Sequence, residues 1–309
     1  MTSAASGTLD PLRGADFLDI AQLGTEQLSA ILDLAAAMKA GRWTGAPLTG
    51  RSLALIFQKP SMRTRVSFQV GIERLGGRAV PLTDQDIGLG QRESVEDVAR
   101  VLDRYVDGIV ARLFSHHTLV ALAGASTRPV INALTDGSHP CQILADLLTI
   151  REALGRLDEG THVAFVGDGN NVARSLIEAA VVLGFPLTVV TPPSYEPVTD
   201  AVPGSAKVRV TSDLAAVSDA AVVYTDVWTS MGQEAETESR RARFAEYQVN
   251  EALMELAPRA VFMHCLPAHR DEEVTAGVID GPRSIVFDQA ENRLWAQMAL
   301  LALIFAGGG

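Results

Sequence analysis

The chain has 309 residues, of which 47% are hydrophobic, and its 37 acidic against 26 basic side chains leave a net charge of −11. One hydrophobic core stops growing at about 250–300 residues, so two domains are expected. The acidic balance excludes a broad nucleic-acid or anionic-membrane surface and leaves an anionic small molecule only a local basic pocket.

The two cysteines, Cys141 and Cys265, make no disulfide framework, which points to a reducing compartment. The opening Met1–Gly7 stretch lacks the basic start and long apolar core of a secretory signal. The apolar run Leu294–Phe305 is too short to span a membrane and carries Gln297, so it reads as a core helix. Together these readings predict a cytoplasmic protein.

Short apolar runs alternate with helical patterns, as in βαβ units built on parallel sheets. In the first half the predicted strands are Leu53–Phe57, Ala79–Leu82, Gly108–Arg112 and Pro129–Asn132. In the second they are His162–Val166, Leu187–Val190, Lys207–Val210, Ala221–Tyr224, Ala260–Met263 and Ser284–Phe287. The expected fold is α/β with two domains, each an open, mostly parallel sheet flanked by helices, joined by long helices. The predicted domains are 1–150 and 151–290, with a last helix over about 291–309 packing back onto the first. A helix from about Cys141 to Leu154 runs up to the boundary.

Ligands of open parallel sheets bind beyond the carboxyl ends of the strands, so the loops that follow these runs are where chemistry is expected. After the first strand come Pro60 and Ser61-Met62-Arg63-Thr64-Arg65, two hydroxyls and two guanidiniums where a helix starts. A cap needs only one hydroxyl. The unpartnered N–H groups of a first turn, its positive dipole end and two Arg make an anion site, with a phosphorylated ligand the leading reading.

Arg112 ends the third strand and can complete a phosphate clamp with Arg63, whereas alone it would be an ordinary surface Arg. In Ser138-His139-Pro140-Cys141-Gln142, His139 and Gln142 share a face at i, i+3, able to address a carbonyl oxygen and an amide together. Pro140 also suits a plain first turn. Gly167-Asp168-Gly169-Asn170-Asn171 is a weak dinucleotide fingerprint, because Val172 replaces the third glycine and no acid ends the next strand. Asn171 at the helix start can instead serve a carboxylate and an ammonium.

Asp226 follows the Ala221–Tyr224 strand and is a natural counter-ion for an ammonium, or equally a cap. It opens Asp226-Val227-Trp228-Thr229-Ser230-Met231-Gly232, after which Gln233–Arg243 has the charged composition of a mobile lid. His264-Cys265-Leu266-Pro267 places a free thiol at a strand's carboxyl end, although a free Cys is more often a buried small hydrophobe. The last helix is expected after Phe287-Asp288-Gln289-Ala290-Glu291-Asn292-Arg293, where Arg293 is either a third anion contact or helix surface. The pair His116-His117 lacks acid or Cys at ligand spacing, and the chain carries no Gly-rich Lys-Ser/Thr phosphate loop.

In order and spacing these motifs closely resemble the ornithine carbamoyltransferases over essentially the whole chain. The resemblance implies a homotrimer or a multiple of it, active sites at subunit interfaces, no metal and no cofactor. It implies the reaction of carbamoyl phosphate with L-ornithine to give L-citrulline and phosphate, a step of arginine biosynthesis. By that resemblance Ser61, Met62, Arg63, Thr64 and Arg112 hold the phosphate, and His139 polarises the carbamoyl oxygen. Gln142, Leu266 and Arg293 position the carbamoyl group. Asn171, Asp226, Ser230 and Met231 receive ornithine, and Cys265 lies beside both the carbamoyl group and the reacting amine. Arg112, His139 and Cys265 are thereby the implied catalytic residues.

One departure stands out in Gln85–Ser94, where many family members supply a Gln or His to the neighbouring subunit's phosphate and this chain has Gly88. Gln85 or Gln91 is the expected substitute, or the contact is lost. Rival readings are a relative using putrescine, N-acetylornithine or aspartate, a non-catalytic phospho-metabolite binder, and a nicotinamide-dependent dehydrogenase. The side chains Asn171, Asp226 and Ser230 suit a zwitterion with a free amine better than a dicarboxylate, a diamine or an amino acid whose α-amine is acetylated.

Overall fold

The computed structural model describes residues 12–198, 207–229 and 236–306. The chain divides into two compact units, the first ending at Leu148 and resuming at Asn292, the second being Thr149–Glu291.

The first unit is a four-stranded parallel sheet in the order β2-β1-β3-β4, with β1 Ser52–Phe57, β2 Arg78–Thr83, β3 Gly108–Arg112 and β4 Val130–Leu134. The continuous apolar sequences of β1 and β3 suit central strands covered on both faces, and β3 is buried throughout. Pro81 lies in β2, an edge strand, where its missing N–H breaks no inner ladder.

Its helices are α1 Thr25–Lys39, α2 Met62–Arg74, α3 Asp84–Ile87, α4 Val95–Leu102 and α5 His116–Ala125, with α6 Pro140–Leu154 crossing the unit boundary. Ser61, in an extended conformation, caps α2 by accepting Thr64 N–H at 3.3 Å, so the β1–α2 loop turns sharply into the helix. Phe68, Gly71 and Ile72 form the buried stripe of α2, and a Cβ at Gly71 would lie 3.1 Å from Met298. Glycine there permits close packing against the last helix.

The second unit is a five-stranded parallel sheet, β7-β6-β5-β8-β9, with β5 Val163–Val166, β6 Leu187–Val190, β7 Val208–Thr211, β8 Val222–Thr225 and β9 Val261–His264. Around it lie α7 Asn171–Leu183, α8 Thr237–Phe244, α9 Glu251–Leu256 and α10 Ala276–Ile279. One face of the sheet packs Ala164, Val166, Val223 and Phe262 against Val249, Leu253, Met254 and Val278.

Several strands end later than expected. Thr225 and His264 are still paired to each other in the β8–β9 ladder, so Asp226 and Cys265 are the first residues beyond it. Polar side chains at strand ends hide this, because the ladder is made by backbone. The predicted strand Ser284–Phe287 does not form. Ser284 makes a single parallel bridge to Phe262, and after Ile285 donates to Phe262 the chain enters α11, Val286–Ile304. A four-residue apolar run does not by itself distinguish strand from helix, and here Gln289 N–H closes on Ile285 O to start the helix. Arg293 therefore lies well inside α11 rather than before it. The C-terminal core helix is as expected, and no helix among the described residues is long and apolar enough to cross a membrane.

Candidate active site

In the first unit the strand order reverses between β1 and β3, which makes the crevice beyond those two strands the expected ligand position. The β1–α2 loop delivers Ser61 through Thr64 there, and β3 delivers Arg112 from its last residue. The Thr64 hydroxyl is the junction. It meets Ser61 Oγ at 3.0 Å and accepts from Arg112 Nη1 at 3.4 Å and Arg293 Nη2 at 2.9 Å. Arg293 is a fork: its other nitrogen donates to Gln142 Oε1, and Gln142 Nε2 donates to Asp146 Oδ1 at 2.8 Å. Thr64, Arg112, His139, Gln142 and Arg293 are all buried, none more than 7% exposed.

Buried guanidiniums give this unit a positive interior, and its titratable neighbours respond. Burial, then Arg293 and Arg112, hold the His139 imidazole well below its ordinary value, so the ring is neutral near pH 7. Burial pushes the Cys141 thiol up to about 12 against the opposing charge of Arg293, so it stays protonated. Cys141 is a packing residue.

Arg63 is half-buried, while Met62 and Arg65 are exposed. Ser61, Met62 and Arg65 line a cavity of about 450 Å³ together with Gln58 and Gln85. Gln85 thus faces the Ser61–Met62 turn of its own chain, whereas Gln91 sits in a tight exposed turn closed by its N–H to Gly88 O at 2.9 Å. Gly88 ends α3 in the left-handed conformation at φ 60°, and a Cβ there would come within 2.8 Å of Arg92. The glycine is thereby accounted for by backbone geometry.

The second unit has its switch point between β5 and β8. Asp226, just beyond β8, is 8% exposed and accepts from Asn170 Nδ2 at 2.7 Å, Val227 N–H at 2.8 Å and Cys265 Sγ at 2.9 Å. Asn170 also caps α7 by accepting from Val172 and Ala173 N–H, leaving Asn171 half-buried at the first helical position. Leu266 follows Cys265 at φ 56°, and its N–H donates to His264 Nδ1 at 2.9 Å. The His264 ring is therefore protonated at Nε2, which donates to Glu273 Oε1 at 3.1 Å. Ser230 and Met231 lie outside the described residues.

Sequence reasoning missed the pair that supports this half. Asp168 and Arg240 form a buried ion pair at 2.5 Å, and Arg240 Nε also donates to the Trp228 carbonyl at 2.6 Å. The guanidinium lies over the rings of Tyr195 and Phe244 at 4.9 and 5.3 Å. The described part of the expected lid is accordingly corrected. Thr237–Arg243 is helix, and Arg240, 4% exposed, pins it to the sheet's loops. No local signal marks Arg240, because its partner lies in a loop far away in sequence. Burial, against the opposing pull of Arg240, pushes the Asp168 carboxyl up to about 6, and the charge of Asp226 adds to the rise.

The Gly167-x-Gly169 turn also has a structural explanation. Gly169 donates to Tyr195 O at 3.0 Å, and a Cβ on it would fall 2.3 Å from Pro197 N. The close approach is made by the chain's own backbone, where a dinucleotide site would receive pyrophosphate.

Residues 15–152 match the carbamoyl-P binding domain of the aspartate/ornithine carbamoyltransferase family, and residues 159–304 match its Asp/Orn binding domain. The chain belongs to the aspartate/ornithine carbamoyltransferase family. Among its relatives, the ornithine carbamoyltransferase of Symbiobacterium thermophilum is 51% identical over 96% of this chain and 99% of its own. The anabolic ornithine carbamoyltransferase of Pyrococcus furiosus is 50% identical over 96% and 98%. A solved ornithine carbamoyltransferase structure from Pyrococcus furiosus superposes with a TM-score of 0.91 at 49% identity, covering 96% of this chain and 99% of that one. Family membership removes the dehydrogenase reading. The two parallel sheets flanked by helices are the α/β architecture expected from the sequence.

Proposed function

We propose that the chain transfers the carbamoyl group of carbamoyl phosphate to the δ-amine of L-ornithine, giving L-citrulline and phosphate in arginine biosynthesis. The carrying observation is the convergence of Arg112 and Arg293 on the Thr64 hydroxyl, beside a His139 that burial and those same cations keep neutral. Such a pocket favours a dianion and offers donors to an oxygen that gains charge.

The roles around carbamoyl phosphate are those the resemblance implies, and the geometry of the first unit supports them. Ser61, Met62, Arg63 and Thr64 address phosphate through side chains and the open N–H groups of α2, with Arg112 bridging phosphate and carbamoyl oxygen. Neutral His139 donates to the carbamoyl oxygen. Gln142, held between Arg293 and Asp146, has a fixed amide orientation with which to position the carbamoyl amide. Leu266 contributes its backbone.

Asp226 receives cationic nitrogen of ornithine together with Asn171, Ser230 and Met231, while Cys265, already donating to Asp226, borders the reacting amine. The neutral δ-amine attacks the carbamoyl carbon, the bond from that carbon to the phosphate oxygen breaks, and the departing phosphate takes the amine proton. An amine with an ordinary pKa near ~10 must lose its proton first, and the carboxylate of Asp226 opposes that loss while the Arg-rich half favours it. The resemblance further supports a homotrimer, and the cysteine usage and lack of a secretory pattern read from the sequence support a cytoplasmic location.

The test is direct. The full chain is incubated with carbamoyl phosphate and, separately, ornithine, putrescine, N-acetylornithine or aspartate, and phosphate and carbamoylated product are quantified. Citrulline and phosphate in equal amounts, with ornithine much preferred, is the expected outcome; absence of citrulline refutes the reading. Sedimentation of the same sample tests the trimer.

A further inference from the structure

We propose that His269, Glu272 and Glu273 form a binding site for a divalent transition cation of the zinc class, apart from the residues assigned to either substrate. One ligand atom from each of the three lies within 4.8 Å of the others. His269 Nδ1 and Glu273 Oε2 are 3.7 Å apart. Two ligands of one tetrahedral zinc, each about 2.1 Å from the metal, stand about 3.4 Å apart, so His269 and Glu273 are already near ligand spacing and Glu272, within 4.8 Å of both, closes in by a side-chain adjustment.

The second observation is Glu273 itself. Its side chain is fully buried, and its two oxygens are treated very differently. Oε1 accepts from His264 Nε2 at 3.1 Å and from the His269 N–H at 2.5 Å, while buried Oε2 has no hydrogen-bond donor. A carboxylate oxygen left in that state is costly, and the group facing it is an imidazole nitrogen beyond hydrogen-bond reach.

The turn is rigid without any ion. Glu272 N–H donates to His269 O at 3.0 Å, Asp271 N–H to Val274 O at 2.8 Å, and Gln248 Nε2 to the Asp271 and Glu272 carbonyls. The backbone that carries the three ligands is thus fixed before binding, which lowers the entropic cost. Arg241 pairs with Glu272 through Oε1 and is half exposed, so Oε2 of Glu272 is available and the guanidinium can swing into solvent. His269, 53% exposed, gives the ion an entry path. One imidazole and two carboxylates, with a fourth position for water, select zinc or cobalt over magnesium, which prefers an octahedral oxygen shell.

Asp226, His264 and Cys265 also present ligand atoms within 4.8 Å, so the experiment is done in a Cys265→Ser background. Cobalt(II) is titrated into the full-length variant near neutral pH, following the visible absorption of tetrahedral cobalt, and zinc(II) binding is measured by calorimetry. One equivalent per chain is expected. Adding His269→Ala, or separately Glu272→Gln, lowers the affinity at least tenfold while circular dichroism and melting stay unchanged. The proposal is overturned if no cobalt band develops, or if either added substitution leaves binding intact.

Discussion

Beyond β1 and β3 of the first unit the buried cations are Lys59, Arg112 and Arg293, with the carboxylate of Asp146 set behind Gln142, and His139 is neutral. Beyond β5 and β8 of the second they are Asp168 and Asp226, with Arg240 as the compensating cation. The sheets share parallel pairing and a switch point, yet their crevices have opposite electrostatic character. The scaffold supplies a place, and the charge of the strand-end residues selects the ligand. A phosphorylated donor suits the first, an amine-bearing acceptor the second.

The largest expected consequence of breaking this contrast is at Arg293. Arg293→Met removes the donor shared by Thr64 and Gln142 and lowers kcat/KM for carbamoyl phosphate on the order of 10³-fold, about 4 kcal/mol. Calorimetry should show the loss in carbamoyl phosphate binding itself; unchanged affinity contradicts the clamp. Next is Arg240→Met, which strands Asp168 in a buried site and destabilises the second unit by about 3 kcal/mol. Hydrogen exchange should rise in β5, β8 and α8 while β1 and β3 remain protected.

Asp226→Asn sharpens the same division from the other side. It keeps the shape and a partner for Cys265 but removes the negative charge, and kcat/KM for ornithine falls roughly 10²-fold, about 2.7 kcal/mol. Carbamoyl phosphate binding should stay within twofold in the same variant, and an equal loss for both substrates would defeat the separation of roles.

The smallest effect is one of pH. His139 is held well below its ordinary value, so the unfolded chain binds a proton there that the folded unit refuses, and the first unit loses stability as pH falls from 6 to 5. Asp168, raised from 3.8 to about 6, is the reverse: its folded form keeps a proton that the unfolded chain has released, so its contribution to the second unit grows over the same interval. Each contributes at most about 1.4 kcal/mol per pH unit. Hydrogen exchange of peptides from α6 and β5 at the two pH values should therefore shift in opposite directions at these sites.

Residues beside a strand end or helix start were legible because local chemistry exposes them: Ser61 as a cap, Arg112 as the last strand residue, Asp226 and Cys265 just past the ladder. Asp168 stood in a recognised turn with no role, since its meaning depends on Arg240. Glu273 likewise has no local signal, although its carboxylate fixes the His264 ring that accepts the Leu266 N–H. The strand expected at Ser284–Phe287 failed for a related reason, because one bridge to Phe262 ends the extended run before a ladder develops.

By itself the sequence determined the alternation of strands and helices, the two parallel sheets, and the residue types offered at their carboxyl ends, because periodicity, capping and turn preferences are properties of neighbours along the chain. Only the tertiary structure decided that Arg293, deep inside α11, forks between Thr64 and Gln142, and that Arg240 pairs with Asp168 over the rings of Tyr195 and Phe244. Those pairings join residues far apart in sequence, and their strength comes from shared burial, where desolvation makes each charge depend on its partner.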